Sequence, residues 1–159
     1  MQNKNFVVRV YGIGQHENKI LVIDEYWHGM KMTKFPGGGL EYGEGTLDCL
    51  RRECMEELGQ KIEILEHFYT TDFFQQALFR QEMQLLSIYY LIKFEEPNKI
   101  KTKTKPFDFE LFNGEMAPRW IDLDAFKEDL LTLPIDRTAA RLLIETKQKN
   151  KLIRRNRHF

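Results

Sequence analysis

The residues that constrain this chain most run from Phe35 to Gln60, FPGGGLEYGEGTLDCLRRECMEELGQ, where a glycine-rich turn feeds a charged helical segment. LDCLRRECMEEL continues without a breaker to Gly59; Thr46 is expected to cap its start and Gly59 its end. At about 100° per residue, Glu56 lies roughly 60° to one side of Glu53 and Glu57 roughly 40° to the other, so three carboxylates share a face. Leu50, Cys54, Leu47 and Leu58 make an apolar stripe beside that face, which therefore borders the core instead of opposing it. Like charges at these spacings cost about 0.2–0.5 kcal/mol per pair on an exposed helix, and more where the dielectric falls. A solvated acidic face is the plain alternative. The neighbouring PGGG, which lets backbone approach a ligand and offers free carbonyls or amides, favours a site for a hard divalent cation, Mg²⁺ or Mn²⁺.

The spacing G-x5-E-x7-R-E-U-x-E-E-x-G-U, with U a bulky aliphatic, is filled at its fixed positions by Gly38, Glu44, Arg52, Glu53, Glu56, Glu57 and Gly59. In this the stretch resembles the signature of the Nudix hydrolases. Cys54 and Gln60 depart from it at the two U positions, and Ile62 is expected to supply the packing that Gln60 cannot. The FPGGGLEYGE lead-in and an RW strand preceded by an acidic loop extend the likeness over most of the chain.

The resemblance implies an α/β fold, a Nudix-type α/β/α sandwich with a mixed β-sheet, in which the motif forms loop, helix and loop. It implies a hydrolase that splits a phosphoanhydride bond in a nucleoside diphosphate linked to another moiety, using water and a divalent metal. Carried onto this sequence, Glu53, Glu56 and Glu57 would bind Mg²⁺, with Mn²⁺ as substitute, joined by a carbonyl of the PGG turn at Gly37. Arg52 would orient a catalytic glutamate, and Glu44 would hold the helix start or reach metal through water. The general base would be Glu53, supported by Glu115, with Glu110 as a second loop candidate and Glu41 a lesser metal-shell candidate. Gly38, Glu44 and Gly59 would shape the motif.

The rest of the chain supplies the frame. Its 159 residues suit one domain spanning 1–159. Residues 147–159 carry six Lys/Arg and no acid, which leaves 18 basic against 24 acidic residues elsewhere. This basic tail is either a solvated helix end or a phosphate- or RNA-binding segment. The longest apolar run, LLSIYYLI, is too short to cross a bilayer, and MQNKNFVVRV has no secretory pattern, so a cytoplasmic protein is expected. Cys49 and Cys54 are poorly placed for a disulfide. NFVVRVYGIG and NKILVIDEYW read as a hairpin, MQLLSIYYLIKF as a central strand, KIEILEHFYTTDFF as a less regular one and APRWIDL as a closing strand. Residues 96–116 read as a long loop holding a short strand. Asp122 is expected to cap a short helix, and a last helix to start near Pro134 with a stripe of Ile135, Ala139, Leu142 and Leu143.

Substrate choice is less legible. Arg9 is a candidate for a phosphate and Phe73 for a stacked base, with Phe74, Tyr69 and Tyr11 as further rings. Lys99, Lys101, Lys103 and Lys105 read as a solvated loop, and the histidines form no zinc-ligand spacing. A free nucleotide, either a nucleoside triphosphate or a nucleotide sugar, is the expected substrate. The alternatives are the 5′ end of RNA and a non-catalytic nucleotide-sensing module. No membrane partner is expected, and a homodimer is allowed.

Overall fold

The computed structural model describes residues 5–156, with side chains as far as Lys151. β1 (Phe6–His16) and β2 (Lys19–Trp27) are joined by Glu17 and Asn18, both at positive φ (49° and 64°), a turn whose hand follows strand twist. The expected hairpin is paired only at its tip, Gln15↔Ile20 and His16↔Lys19. Beyond it the glycine run takes over as a short strand, β4 (Gly37–Gly39), pairing Arg9↔Gly39 through Tyr11↔Gly37.

β6 (Gln84–Phe94) lies between β1, which it parallels, and β5 (Ile62–Thr70), which it opposes, so it is internal as its two-sided hydrophobicity indicates. β5 is the irregular strand, with register shifts at Ile64/Glu66 and His67/Tyr69. β2 also holds β3 (Met30–Lys34) and β7 (Met116–Asp122), completing a mixed seven-stranded sheet.

Alternation along the strands separates two cores. Val10 and Leu21 pack with Leu50, Cys54, Ile92 and Phe94 under α1 (Thr46–Leu58). Tyr11, Ile13, Ile20 and Val22 pack with Phe35, Tyr89, Ile135, Ala139 and Leu143 under α2 (Pro134–Asn156). One core on each face is the α/β/α sandwich.

Four expectations are corrected. The N-cap of α1 is Gly45, and Thr46 opens the helix with its hydroxyl 2.8 Å from that of Tyr90. Leu47, in the first turn of α1, is 38% exposed and lies outside the buried stripe of Cys49, Leu50 and Cys54. After β7 there is no Asp122-capped helix, only turns and one 3₁₀ turn at Glu128–Leu130. Phe126 and Leu131 are both buried there, and an α-helix would point residues five apart about 140° away from each other. The 96–116 segment holds a 3₁₀ turn at Pro97–Lys99 and, among the described residues, no strand.

That segment is tied down elsewhere. Buried Asp24 accepts from Arg119 (2.8 and 3.0 Å), the Thr33 hydroxyl (2.7 Å) and Phe107 N (3.3 Å). Gln60 is buried and accepts from Glu96 N (3.1 Å), while Ile62 packs against the α1-side core as expected. The basic segment continues α2 to Asn156; residues 157–159 lie outside the described residues. Among those described, no helix is long and apolar enough to cross a membrane.

Candidate active site

α1 presents its carboxylates to β4 and the end of β3, and two cations organise them. Arg52 is the first. Its Nε and Nη2 grip Glu44 (3.1 and 2.7 Å), its Nη1 donates to Glu53 (3.0 Å) and Glu56 (3.3 Å), and Nη2 also reaches the Gly39 carbonyl (3.1 Å). This two-pronged grip, with Glu41 N donating to the same carboxylate, holds the Glu44 carboxyl down to about 2. The planar guanidinium thus fastens the loop before α1 to the helix face that carries Glu53.

Lys34, the last residue of β3, is the second cation. Its Nζ lies 3.0 Å from Glu57 Oε1, 3.4 Å from Glu25 Oε2 and 3.5 Å from the Gly37 carbonyl. The other Glu57 oxygen accepts from Gly37 N (2.9 Å). Lys34 and Glu57 are 7% and 6% exposed at the side chain, so this is a desolvated pair, whereas Glu56 is 58% exposed. Burial pushes the Glu57 carboxyl up, opposed by Lys34 and Gly37 N. Burial also works against the Lys34 charge, but Glu57 and Glu25 outweigh it and the ammonium is held on.

The sequence-derived ligands are therefore assembled on one surface: Glu53, Glu56 and Glu57 from α1, the Gly37 carbonyl from β4, and Glu44 behind Arg52. Among the described residues, no three acidic, His or Cys side chains already form a metal cage. The donors are instead held in ion pairs, and the Glu57 carboxylate and Gly37 carbonyl both face a single positive charge, that of Lys34. These two oxygen donors facing one cation, with Glu53 and Glu56 on the same helix face, are the donor type a hard divalent ion takes. Cys49, buried with its Sγ 3.5 Å from the Gly39 carbonyl, is the small residue on which the glycine strand packs. Burial pushes its thiol up to about 12.

Beside this surface opens a cleft of about 620 Å³. Tyr11 and Lys34 line its buried end together with Arg9, whose Nε donates to the Tyr11 hydroxyl (2.6 Å), and with Glu25. Trp27, His28, Phe79 and Arg80 line its outer part, with ring centroids 4.9 Å apart for Trp27–His28 and 5.1 Å for His28–Phe79.

Arg9 thus stands in the cleft, but Phe73 does not. β5 ends at Thr70 and the following chain turns back through a Gln76↔Gln84 bridge, so Phe79 reaches the cleft instead. Phe74 is exposed, and Tyr69 is buried against Tyr89. Glu115 has an exposed side chain and its carbonyl accepts from Tyr26 N (2.9 Å); among the described residues neither it nor Glu110 bonds to the α1 carboxylates. Glu41 is 70% exposed, 3.9 Å from Arg52. Lys34, Glu25, Trp27, His28, Phe79 and Arg80 escaped the sequence reading. For Lys34 no clear signal existed: β3 reads MKMTK, and nothing in that pattern tells buried Lys34 from exposed Lys31 except its place directly before FPGGG.

The fold is one that known proteins share. A family model described as the NUDIX domain matches residues 4–143. Three solved structures are similar in fold. A NUDIX hydrolase from Nitrosomonas europaea has a TM-score of 0.66 at 18% identity, over 90% of this chain and 91% of that one. A MutT NUDIX hydrolase from Burkholderia pseudomallei has 0.60 at 22%, over 87% and 98%. An ADP-ribose pyrophosphatase from Streptococcus suis 89-1591 has 0.56 at 19%, over 89% and 91%. No curated protein gives a significant match.

Proposed function

The chain belongs to the Nudix family of hydrolases, and from that premise we propose that it is a Mg²⁺-dependent pyrophosphohydrolase of free nucleotides, a nucleoside triphosphate or a nucleotide sugar. One observation carries this reading: Lys34 and Glu25 belong both to the carboxylate surface and to the buried end of a cleft lined by cations and aromatic rings. A phosphate chain entering that cleft meets Arg9, Lys34 and Arg80, while Trp27 and Phe79 offer flat faces to a base. The similar structures include MutT proteins, an ADP-ribose pyrophosphatase and a UDP-X diphosphatase, so fold alone does not select the leaving group.

Glu53, Glu56, Glu57 and the Gly37 carbonyl would hold Mg²⁺, which supplies neutralisation of phosphate charge and a more acidic water. Arg52 fixes Glu53 through Oε1, leaving Oε2 to take a proton from the attacking water. Water oxygen bonds to phosphorus as the phosphoanhydride P–O bond breaks, and the leaving phosphate departs with that bond's electrons. Arg9 and Arg80 orient the phosphates, and Glu115, exposed just before β7, is kept as the second candidate base.

The test is hydrolysis of a panel of triphosphates, oxidised purine triphosphates, nucleotide sugars and dinucleotides with Mg²⁺ or Mn²⁺, counting phosphate and pyrophosphate separately. One class is expected to turn over, with kcat falling on the order of a hundredfold or more in Glu57→Gln. Inertness on the whole panel combined with cleavage of triphosphorylated or capped RNA would move the assignment to RNA ends. Nucleotide binding without any hydrolysis would make the protein a sensor.

A further inference from the structure

The ammonium of Lys34 stands between two of the donors proposed for the metal, while Glu53 and Glu56 are held by Arg52. It bonds one oxygen of Glu57 and faces the Gly37 carbonyl, the two buried donors of the set proposed above. It cannot stay there when a divalent ion arrives, because two cations sharing Glu57 in a desolvated site repel strongly. Nor is it confined there. Glu25 lies 3.4 Å away, and both Lys34 and Glu25 line the cleft, so the flexible stem has a second carboxylate and an open volume to turn toward. The site needs such a stand-in. Among the described residues, Glu25, Glu41, Glu44, Glu53, Glu56 and Glu57 share only Lys34 and Arg52 as ion-pair partners within 4 Å, and Arg52 is already committed to Glu44. Without Lys34 the buried Glu57 would face its carboxylate neighbours with only the Gly37 amide to hold it.

Building on the reading of Glu57 and Gly37 as metal ligands, we propose that Lys34 is a displaceable counter-cation. It neutralises Glu57 in the metal-free protein, is driven off by the metal, and turns into the cleft to bind the substrate phosphate. Metal binding and phosphate recognition are then coupled through one side chain. Lys34 acts against the metal in the free protein and for the nucleotide in the loaded one.

These two effects have opposite signs, which a merely structural lysine cannot produce. Mn²⁺ affinity of the nucleotide-free protein is measured by the loss of the free-ion EPR signal, for the wild type, Lys34→Met and Lys34→Arg. Lys34→Met keeps the apolar stem and is expected to bind Mn²⁺ about threefold more tightly or better, while Lys34→Arg stays near the wild type. At saturating Mn²⁺, affinity for a non-hydrolysable triphosphate analogue is expected to fall in Lys34→Met. Loss of both affinities in a folded Lys34→Met would make Lys34 a brace for the ligands and overturn the proposal, as would no change in either. The wild type gives a second reading that needs no variant. Acylation of Lys34, followed by peptide mass spectrometry, is expected to speed up when Mn²⁺ saturates the protein; continued protection would also overturn the proposal. If wild type binds no Mn²⁺, the metal reading of the site falls as well. If it binds Mn²⁺ and Lys34→Met does not tighten it, only the present inference falls.

Discussion

Arg52 uses every nitrogen of its guanidinium: Nε and Nη2 on Glu44, Nη2 on the Gly39 carbonyl, Nη1 on Glu53 and Glu56. A lysine offers one rounded ammonium and cannot satisfy partners spread around the edge of the planar guanidinium. Arg52→Lys is therefore expected to lower kcat on the order of a hundredfold while moving KM less, since Arg52 holds Glu53 and does not line the cleft. Steady-state kinetics on the identified substrate would check this split. The same contacts make a statement about acid. With the folded Glu44 carboxyl held down to about 2, its bond to Arg52 contributes stability above the ordinary carboxylate pKa of about 4.3, and loses it as pH falls through about 2. In Arg52→Met that contribution is gone. The difference in melting temperature from the wild type should be widest above about pH 4.3 and shrink toward pH 2.

At the scale of elements, the glycine strand and α1 form one device, and two adjacent glycines separate its structural and chemical parts. Gly37 sits at φ +138°, and a Cβ there would fall 2.1 Å from the Val10 carbonyl, backbone that cannot yield. Gly37→Ala should destabilise the fold by about 3 kcal/mol or more, read by urea unfolding. Gly38 meets only a side chain: a Cβ there would fall 2.3 Å from Glu53 Oε1, which can swing away. Gly38→Ala should melt near the wild-type temperature yet lose on the order of tenfold or more in kcat, because the carboxylate it displaces is the proposed base. Equal loss of fold in both variants would break this distinction. This device was also the most legible part of the sequence, since helical period and motif spacing are local properties; Glu53, Glu56, Glu57 and the cap at Gly59 all follow from counting residues. The strand nature of Gly37–Gly39 was not legible, because three glycines carry no β signal and pair only where β1 has parted from β2.

Across the whole molecule, what could not be read is what pairing distant segments creates. The two-faced sandwich was implied by the motif's resemblance, and the strand-forming runs and the α2 stripe supplied its elements. The cleft instead joins β1, the β2–β3 end and the 77–80 segment, brought together by the β1–β6 pairing and the Gln76↔Gln84 bridge. Another such product lies beneath it. Asp136, in the first turn of α2 and fully buried, accepts from the Tyr89 hydroxyl (2.5 Å), and its Oδ2 has no partner among the described residues. Tyr89 stacks on Tyr11, whose hydroxyl meets Arg9 in the cleft, so this carboxyl joins α2 to the floor of the site. Burial lifts Asp136 from 3.8 to about 6, even with the Tyr89 bond favouring the anion. A carboxyl raised on folding adds stability that is fully present below about 3.8 and is lost as pH rises through about 6. Asp136→Asn keeps an oxygen for Tyr89 and cannot ionise. Between pH 4.5 and 7.5 the wild type is therefore expected to lose roughly 2 kcal/mol relative to Asp136→Asn, at about 1.4 kcal/mol per pKa unit over the part of the shift that this window spans. Urea unfolding of both proteins at steps across that range reads the difference directly; a difference independent of pH would mean that Asp136 is ionised in the folded protein across the whole window, as it is in the unfolded chain.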